Sequence, residues 1–351
     1  MRKKMSKIST VAYKGSKRKL IKNILELVDE VKPQTVFDGF SGTGIVSAAL
    51  RGSGYAVTAY DLNYSSFIFA SVFLNGYDVT EVKKHLITMN HILPKAGWLT
   101  KNYSGSAERV IRGTNKSVED RPRGFIRKNS EKIDAARDYV QQLQIPENEK
   151  RALVFSIVLA ADKVFNNSND QKSSFKEWAP ASKKDVVFLE PALIKGPVGY
   201  TNQGNILKQK IEADVAYFDP PYTSGVLYET CYHLNDSIAK WDKEELDYSY
   251  AIPRPKSKCL RKNGKTAGGF YSSKEAPDAF DLLLSNTNAN RIILSYSDAP
   301  RNAISLSALY KICQKHGSVS IKTKEHKICA QPRQMNKISE QLKEAFIIID
   351  R

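Results

Sequence analysis

The chain has 351 residues, 41% of them hydrophobic and 26% charged, with 19 glycines and 14 prolines. That length is about two domains' worth at roughly 150 residues each, and the mix excludes a mini-protein, a collagen-like chain and a low-complexity chain. Lys and Arg number 54 against 37 Asp and Glu, a net charge of +17, which points to a polyanionic partner, either nucleic acid or an acidic membrane surface.

The longest strongly apolar run, Ala152 to Ala161, contains Ser156 and falls far short of the ~20 residues a membrane helix needs. The basic start, Arg2-Lys3-Lys4, is followed by Lys14, Lys17, Arg18 and Lys19 instead of the apolar stretch of a signal peptide, so the chain reads as cytosolic. Its four cysteines include no CxxC pair and its five histidines have no ligand spacing. Neither a zinc site nor a disulfide framework is indicated, and the thiols read as reduced and inert.

In chain order, Lys17 to Lys32 carries Leu20, Ile21, Ile24, Leu25, Leu27, Val28 and Val31 on one helical stripe that Pro33 stops. Thr35-Val36-Phe37-Asp38 reads as a short buried strand. It runs into Gly39-Phe40-Ser41-Gly42-Thr43-Gly44, and helical spacing resumes from Ile45 to Leu50. A second strand, Ala56 to Tyr60, ends in Asp61. Strand, glycine turn, helix, strand and terminal acid make a βαβ unit, the start of a parallel sheet. From roughly residue 80 to 200 this rhythm gives way to basic stretches such as Arg121 to Lys128 and to helices such as Glu149 to Phe165, the pattern of an inserted domain. Buried strands return at Val215 to Asp219, Arg291 to Tyr296 and Ala345 to Ile349. Between the first two of these lies Pro253 to Lys265, with six cations and no acid, a composition that suits a mobile loop.

The glycine turn lets backbone approach a ligand at a helix N-terminus, although a tight turn without ligand has the same glycines. A dinucleotide fingerprint is disfavoured, because Ser47 stands where its third glycine or alanine would be. An acid ending the second strand can accept both hydroxyl protons of a ribose; the alternative for Asp61 is a helix N-cap before Leu62. Asp219-Pro220-Pro221-Tyr222 follows a buried strand, and a given tetrapeptide arises by chance in such a chain only about two times in a thousand at average residue usage.

These pieces resemble the class alpha, Dam-like DNA adenine methyltransferases, which modify the exocyclic N6 using S-adenosylmethionine. Tyr13-Lys14-Gly15-Ser16-Lys17 looks like that family's N-terminal cofactor motif, Asp38 to Gly44 its glycine loop, Asp61 its ribose acid and Asp219 to Tyr222 its catalytic tetrapeptide, in the family's order. Leu294 to Ser297 and Glu344 to Ile348 are similar to its last strands. The middle is only loosely similar, at Phe165-Asn166-Asn167 and Asn205-Ile206-Leu207, and Asn205 is an amide where many relatives have an acid.

The resemblance implies a Rossmann-like methyltransferase fold: a mostly parallel sheet with helices on both faces in residues 1–80 and 200–351, and a mainly helical target-recognition domain inserted at 81–199. It implies that Asp38, Gly39, Phe40, Gly42, Gly44, Asp61, Asn205 and Asp219 contact S-adenosylmethionine, with Tyr13 and Lys17 at its methionine end, Lys17 pairing with the carboxylate. Asp219 and the Pro220 carbonyl would accept the two hydrogens of the target amine and Tyr222 would stack on the extruded base, with Pro221 the remaining member of the catalytic tetrapeptide. The implied partner is double-stranded DNA. The implied setting is the cytosol of a prokaryote or the host of a phage, as a solitary methylase or beside a cognate restriction endonuclease.

A base inside a duplex is out of reach, so the nucleotide must flip. Arg121, Arg123, Arg127 and Lys128, and Arg254, Lys256, Lys258, Arg261, Lys262 and Lys265, are the candidate DNA contacts, a solvated charged face being the alternative. Cytosine N4 methylation shares the amine chemistry and stays open at this point, as does a catalytically silent DNA-binding protein of the same fold. Cytosine C5 methylation needs a nucleophilic cysteine, usually after a proline, and none of the four follows one.

Overall fold

A computed structural model describes residues 8–105, 123–167, 171, 175, 177–224, 228–248, 254–255, 269–326 and 342–351. Among them seven strands form one sheet: β1 (Thr35–Asp38), β2 (Ala56–Asp61), β3 (Tyr200–Gln203), β4 (Ile211–Phe218), β5 (Thr287–Ser297), β6 (Ser318–His326) and β7 (Leu342–Asp350). The spatial order is β3-β2-β1-β4-β5-β7-β6. β1 to β5 pair in parallel, whereas β7 runs antiparallel to both β5 and β6. The sheet is the mostly parallel, Rossmann-like one expected. Strand order reverses between β1 and β4, and in such sheets ligands bind in the crevice at the carboxyl ends beside that reversal.

Both faces are covered, and the strands show it by alternation. Val215 and Tyr217 join an apolar cluster with Val36, Ile293, Phe346 and Ile348 on one face. Ala216 and Phe218 join another with Phe37, Ile292, Leu294, Ile347 and Ile349 on the other. Successive side chains point to opposite faces, so a strand buried on both sides reads as an unbroken apolar run.

The first face carries α1 (Ile21–Asp29), α2 (Ile45–Gly52) and α3 (Tyr64–Asn75), with α4 (Val79–His91), α5 (Trp98–Tyr103), α6 (Arg127–Gln142), α7 (Glu147–Val164) and α8 (His233–Lys240) stacked on them. α9 (Ala276–Ser285) and α10 (Leu306–Cys313) cover the second. The helices within 81–199 share the first cluster: Phe155 of α7 packs on Phe69 and Phe73 of α3 at ring distances of 4.7 and 5.3 Å. No helix among the described residues is long and apolar enough to cross a membrane.

The single helix expected from Lys17 to Lys32 is instead a 3₁₀ turn, Lys17–Lys19, followed by α1. The break has a reason: the turn sends the Lys17 side chain into the protein, where it is 6% exposed, away from the stripe that α1 buries. Strand β4 begins earlier than the sequence suggests, at Ile211, and ends at Phe218, so Asp219 lies just past the sheet edge.

Candidate active site

At the carboxyl edge of the sheet, β1, β2 and β4 each end in or beside an acid: Asp38, Asp61 and Asp219. The glycine turn links the first two. Gly39 N–H donates to Tyr217 O of β4 (2.9 Å), Ser41 N–H to Tyr60 O of β2 (3.1 Å), and Gly44 N–H back to Ser41 O (2.7 Å). The turn therefore bridges three strands before α2 starts. Gly42 and Gly44 sit at φ +52° and +72°, the left-handed region that glycine enters without cost. A Cβ on Gly39 would lie 2.3 Å from the Phe218 ring, so that position is glycine for space.

Asp61 fixes the turn from outside. One oxygen accepts from Gly42 N–H (2.8 Å) and the other from Asn63 N–H (2.9 Å), orienting the carboxylate in the wall of a cavity at this edge of the sheet. Asp38 lies beneath the turn, fully buried, accepting from Ser47 Oγ at 2.5 Å. Burial pushes its carboxyl up to about 7, with Ser47 opposing and the Asp61 and Asp219 charges adding to the rise. Ser47, the residue that spoils a dinucleotide fingerprint, is thus Asp38's hydrogen-bond partner.

Asp219 meets Lys17 Nζ at 2.8 Å, and the same ammonium lies 3.1 Å from Glu344 Oε1 of β7. Burial pushes the Asp219 carboxyl up to about 6; Lys17 pulls it down and Glu344 adds to the rise. Burial acts to lower the Lys17 ammonium, but Asp219, Tyr222 and Glu344 outweigh it and hold Lys17 well above the ordinary lysine range. Lys17, expected to pair with a cofactor carboxylate, has protein carboxylates as its ion-pair partners here. The Tyr222 ring packs against Tyr296 at 4.5 Å, and Lys17 Nζ lies 5.9 Å from its centroid.

Long-range contacts set the N-terminal segment in place. Ala12 N–H donates to Asp162 of α7 (2.7 Å), Tyr13 stacks on Tyr232 with centroids 4.2 Å apart and 9° between planes, and Lys14 N–H donates to the Tyr232 hydroxyl (2.6 Å). Tyr13, Lys17, Gly39, Phe40, Gly42, Asp61, Asn205, Asp219, Pro220, Pro221 and Tyr222 all line the one cavity. Gly44 caps α2 behind it. The Asn205 amide oxygen accepts from Leu207 N–H and caps a short 3₁₀ turn.

Sequence reasoning passed over several wall residues: Ser41 and Thr43 within the turn, Tyr60 before Asp61, Asn63 after it, and Phe270. Those beside recognised acids had a positional signal; Phe270 and Glu344 had none. Of the expected DNA contacts, Arg121, Lys256, Lys258, Arg261, Lys262 and Lys265 lie outside the described residues. Arg123 is half-buried. Arg127 and Lys128 are exposed at the start of α6 and ion-paired, Arg127 with Glu131 at 2.8 Å and Lys128 with Asp185 at 2.5 Å. Arg254 and Pro255 pair antiparallel with Leu246 and Asp247.

The sequence that builds this site has relatives among known proteins. A family described as D12 class N6 adenine-specific DNA methyltransferase matches residues 13–312, from the stacked tyrosine in the cavity wall into α10. The chain belongs to that family. It is similar to Type II methyltransferase M.NlaIII of Neisseria lactamica, 26% identical over 333 residues that cover 90% of this chain and 91% of that one. Modification methylase LlaI of Lactococcus lactis subsp. lactis is 24% identical over 344 residues, 90% of this chain and 51% of LlaI. Type II methyltransferase M.FokI of Planomicrobium okeanokoites is 29% identical over 311 residues, 81% of this chain and 44% of M.FokI. The chain thus spans nearly the whole of M.NlaIII and about half the length of the other two. Of the two exocyclic amines left open by the sequence, the family's description names that of adenine.

Proposed function

We propose that this chain is a site-specific DNA methyltransferase that carries the methyl of S-adenosylmethionine to N6 of an adenine flipped from duplex DNA. One observation carries the reading: Asp219, Pro220 and Tyr222 face the same cavity as the glycine turn and Asp61. Type II relatives along most of the chain support a place in a restriction–modification system, with a cognate endonuclease as functional partner. Residues 1–80 and 200–351 form the catalytic part in this reading, and 81–199 the target-recognition part.

The cavity suits S-adenosylmethionine by its own chemistry. The Ser41 hydroxyl is buried in the wall without a hydrogen-bond partner among the described residues. Gly42 brings backbone where a Cβ would come within 3.3 Å of the Tyr13 ring. Apolar Phe40, Val46 and Ile206 alternate with Asp61 and Asn205, the mixture that holds an adenosine. When bound, S-adenosylmethionine supplies an electrophilic methyl on a positively charged sulfur.

The protein's part is grip and electrostatics. Lys17 holds one oxygen of Asp219, a residue of the cavity wall. Asp219 accepts one hydrogen of the target amine and the Pro220 carbonyl the other, drawing the nitrogen lone pair out of ring conjugation. As the amine becomes positive, the fixed carboxylate and carbonyl bind that state better than the ground state. Tyr222 offers a ring face to the extruded base.

The decisive experiment incubates the chain with labelled S-adenosylmethionine and DNA of known sequence, then digests the product to nucleosides for mass spectrometry. N6-methyladenine is the expected product; N4-methylcytosine overturns the choice of base, and unlabelled DNA overturns the activity. The pH dependence has a fixed sign. Asp219 must be ionised, and burial has raised its carboxyl to about 6. Methylation by the free enzyme is therefore expected to rise through pH 6 and level off above it, falling ~tenfold per unit below about pH 5. A flat rate between pH 5 and 7 contradicts it.

A further inference from the structure

Glu344 stands on β7, the reversed strand, in register with Ser297 of β5. Its side chain is 9% exposed, accepts from Ser295 Oγ at 2.6 Å and reaches Lys17 Nζ at 3.1 Å. A buried carboxylate persists only when paired, and Lys17 is already paired, at 2.8 Å, with Asp219. The cluster thus sets two carboxylates against one ammonium. The other groups facing it are Tyr217 from the end of β4 and Tyr222, both pushed above the ordinary phenol range chiefly by burial, the hydroxyl of Ser295, and Asp38 at the end of β1. None of these described groups supplies a second positive charge. Lys17 and Asp219 line the cavity and Glu344 pairs with Lys17 from outside the lining, so the surplus negative charge sits behind the cavity wall.

We propose that Glu344 is a positioning residue whose charge keeps the Lys17–Asp219–Glu344 cluster net negative, so that the cavity favours the cationic sulfonium of S-adenosylmethionine over the neutral thioether left after transfer. The proposal rests on the methyltransferase reading of the site and adds a basis for telling cosubstrate from spent product. A single buried charge about 10 Å from a ligand charge is worth on the order of tenfold in affinity at an effective dielectric of about 20. Holding Lys17 between two carboxylates also keeps Asp219 from collapsing onto it with both oxygens, which leaves the second oxygen for the target amine.

The test measures dissociation constants for S-adenosylmethionine and S-adenosylhomocysteine by calorimetry on the full chain and on Glu344→Gln. Gln keeps the shape and an acceptor for Ser295 but removes the charge. S-adenosylmethionine binding is expected to weaken on the order of tenfold while S-adenosylhomocysteine changes less than about twofold. Glu344→Ala is expected to shift the ratio the same way, and Glu344→Asp to keep it within about threefold of the unmutated chain. A second readout needs no ligand ratio: with the Glu344 charge gone, Asp219 loses one cause of its rise, so the acid limb of the methylation rate moves below pH 6. If both ligands bind and the ratio is unchanged in Gln and Ala, the proposal fails and the site reading stands. If the unmutated chain binds neither ligand, the site reading itself fails.

Discussion

Replacing Asp219 by Asn is expected to lower the single-turnover rate of methyl transfer roughly a hundred- to a thousandfold, the cost of removing one preorganised electrostatic contact to a transition state. The substitution keeps size and one acceptor oxygen, so what it removes is charge at the atom pair nearest the reacting amine. It also places a donor amide where the amine needs an acceptor. The fold has reason to survive: in the native chain Lys17 contacts both Asp219 and Glu344, so the buried ammonium keeps an anionic partner in the variant. S-adenosylmethionine binding should weaken on the order of tenfold, because the variant takes one negative charge from the same cluster as Glu344→Gln, while Asp61 and the Gly42 turn, held by their own hydrogen bonds, keep their places. Stopped or quenched turnover with preformed complex, with circular dichroism as the check on folding, separates these effects. A variant rate within threefold of the native one removes Asp219 from the mechanism.

The parts of this site legible in the sequence are those whose chemistry is local. Thr35 to Asp61 spells strand, turn, helix, strand and acid within one unit, and the structure closes that unit with hydrogen bonds between the same residues. Asp219 to Tyr222 is likewise contiguous. The sheet was legible too, because strands buried on both faces are unbroken apolar runs, as in Val215 to Phe218 and Ala345 to Ile349. What was not legible depends on distant partners. Nothing near Glu344 marks it as Lys17's neighbour, and Tyr232 gives no sign that it stacks on Tyr13. The start of α1 failed for a related reason: the apolar stripe fits a helix from Lys17, but burying that lysine between two carboxylates favours the tighter turn. Periodicity registers which face is apolar, and it is blind to a charge that a remote strand compensates.

Affinity for duplex DNA is expected to fall about 10³- to 10⁵-fold between 50 and 200 mM salt, the drop associated with neutralising roughly six to ten phosphates. The net charge of +17 supplies enough cations, but the structure distinguishes between them. Arg127 and Lys128 already face Glu131 and Asp185, so their charges are partly spent within the protein. The segment Pro253 to Lys265 has six cations and no acid, and on its C-terminal side Phe270 lines the cavity. With no acid in the same stretch of sequence to offset them, these cations are the ones with charge to spare for phosphates. Replacing Lys256, Lys258 and Arg261 together by Gln should therefore make the slope of log affinity against log salt shallower by about 3, at roughly 0.9 for each phosphate no longer neutralised. Replacing Arg127 and Lys128 should change it by less than about 1, because each phosphate they could meet competes with a carboxylate they already hold. Fluorescence anisotropy with labelled duplex across a salt series reads both slopes. Equal changes for the two sets would mean the basic segment has no privileged place at the DNA, and the binding face would then have to be sought along α6.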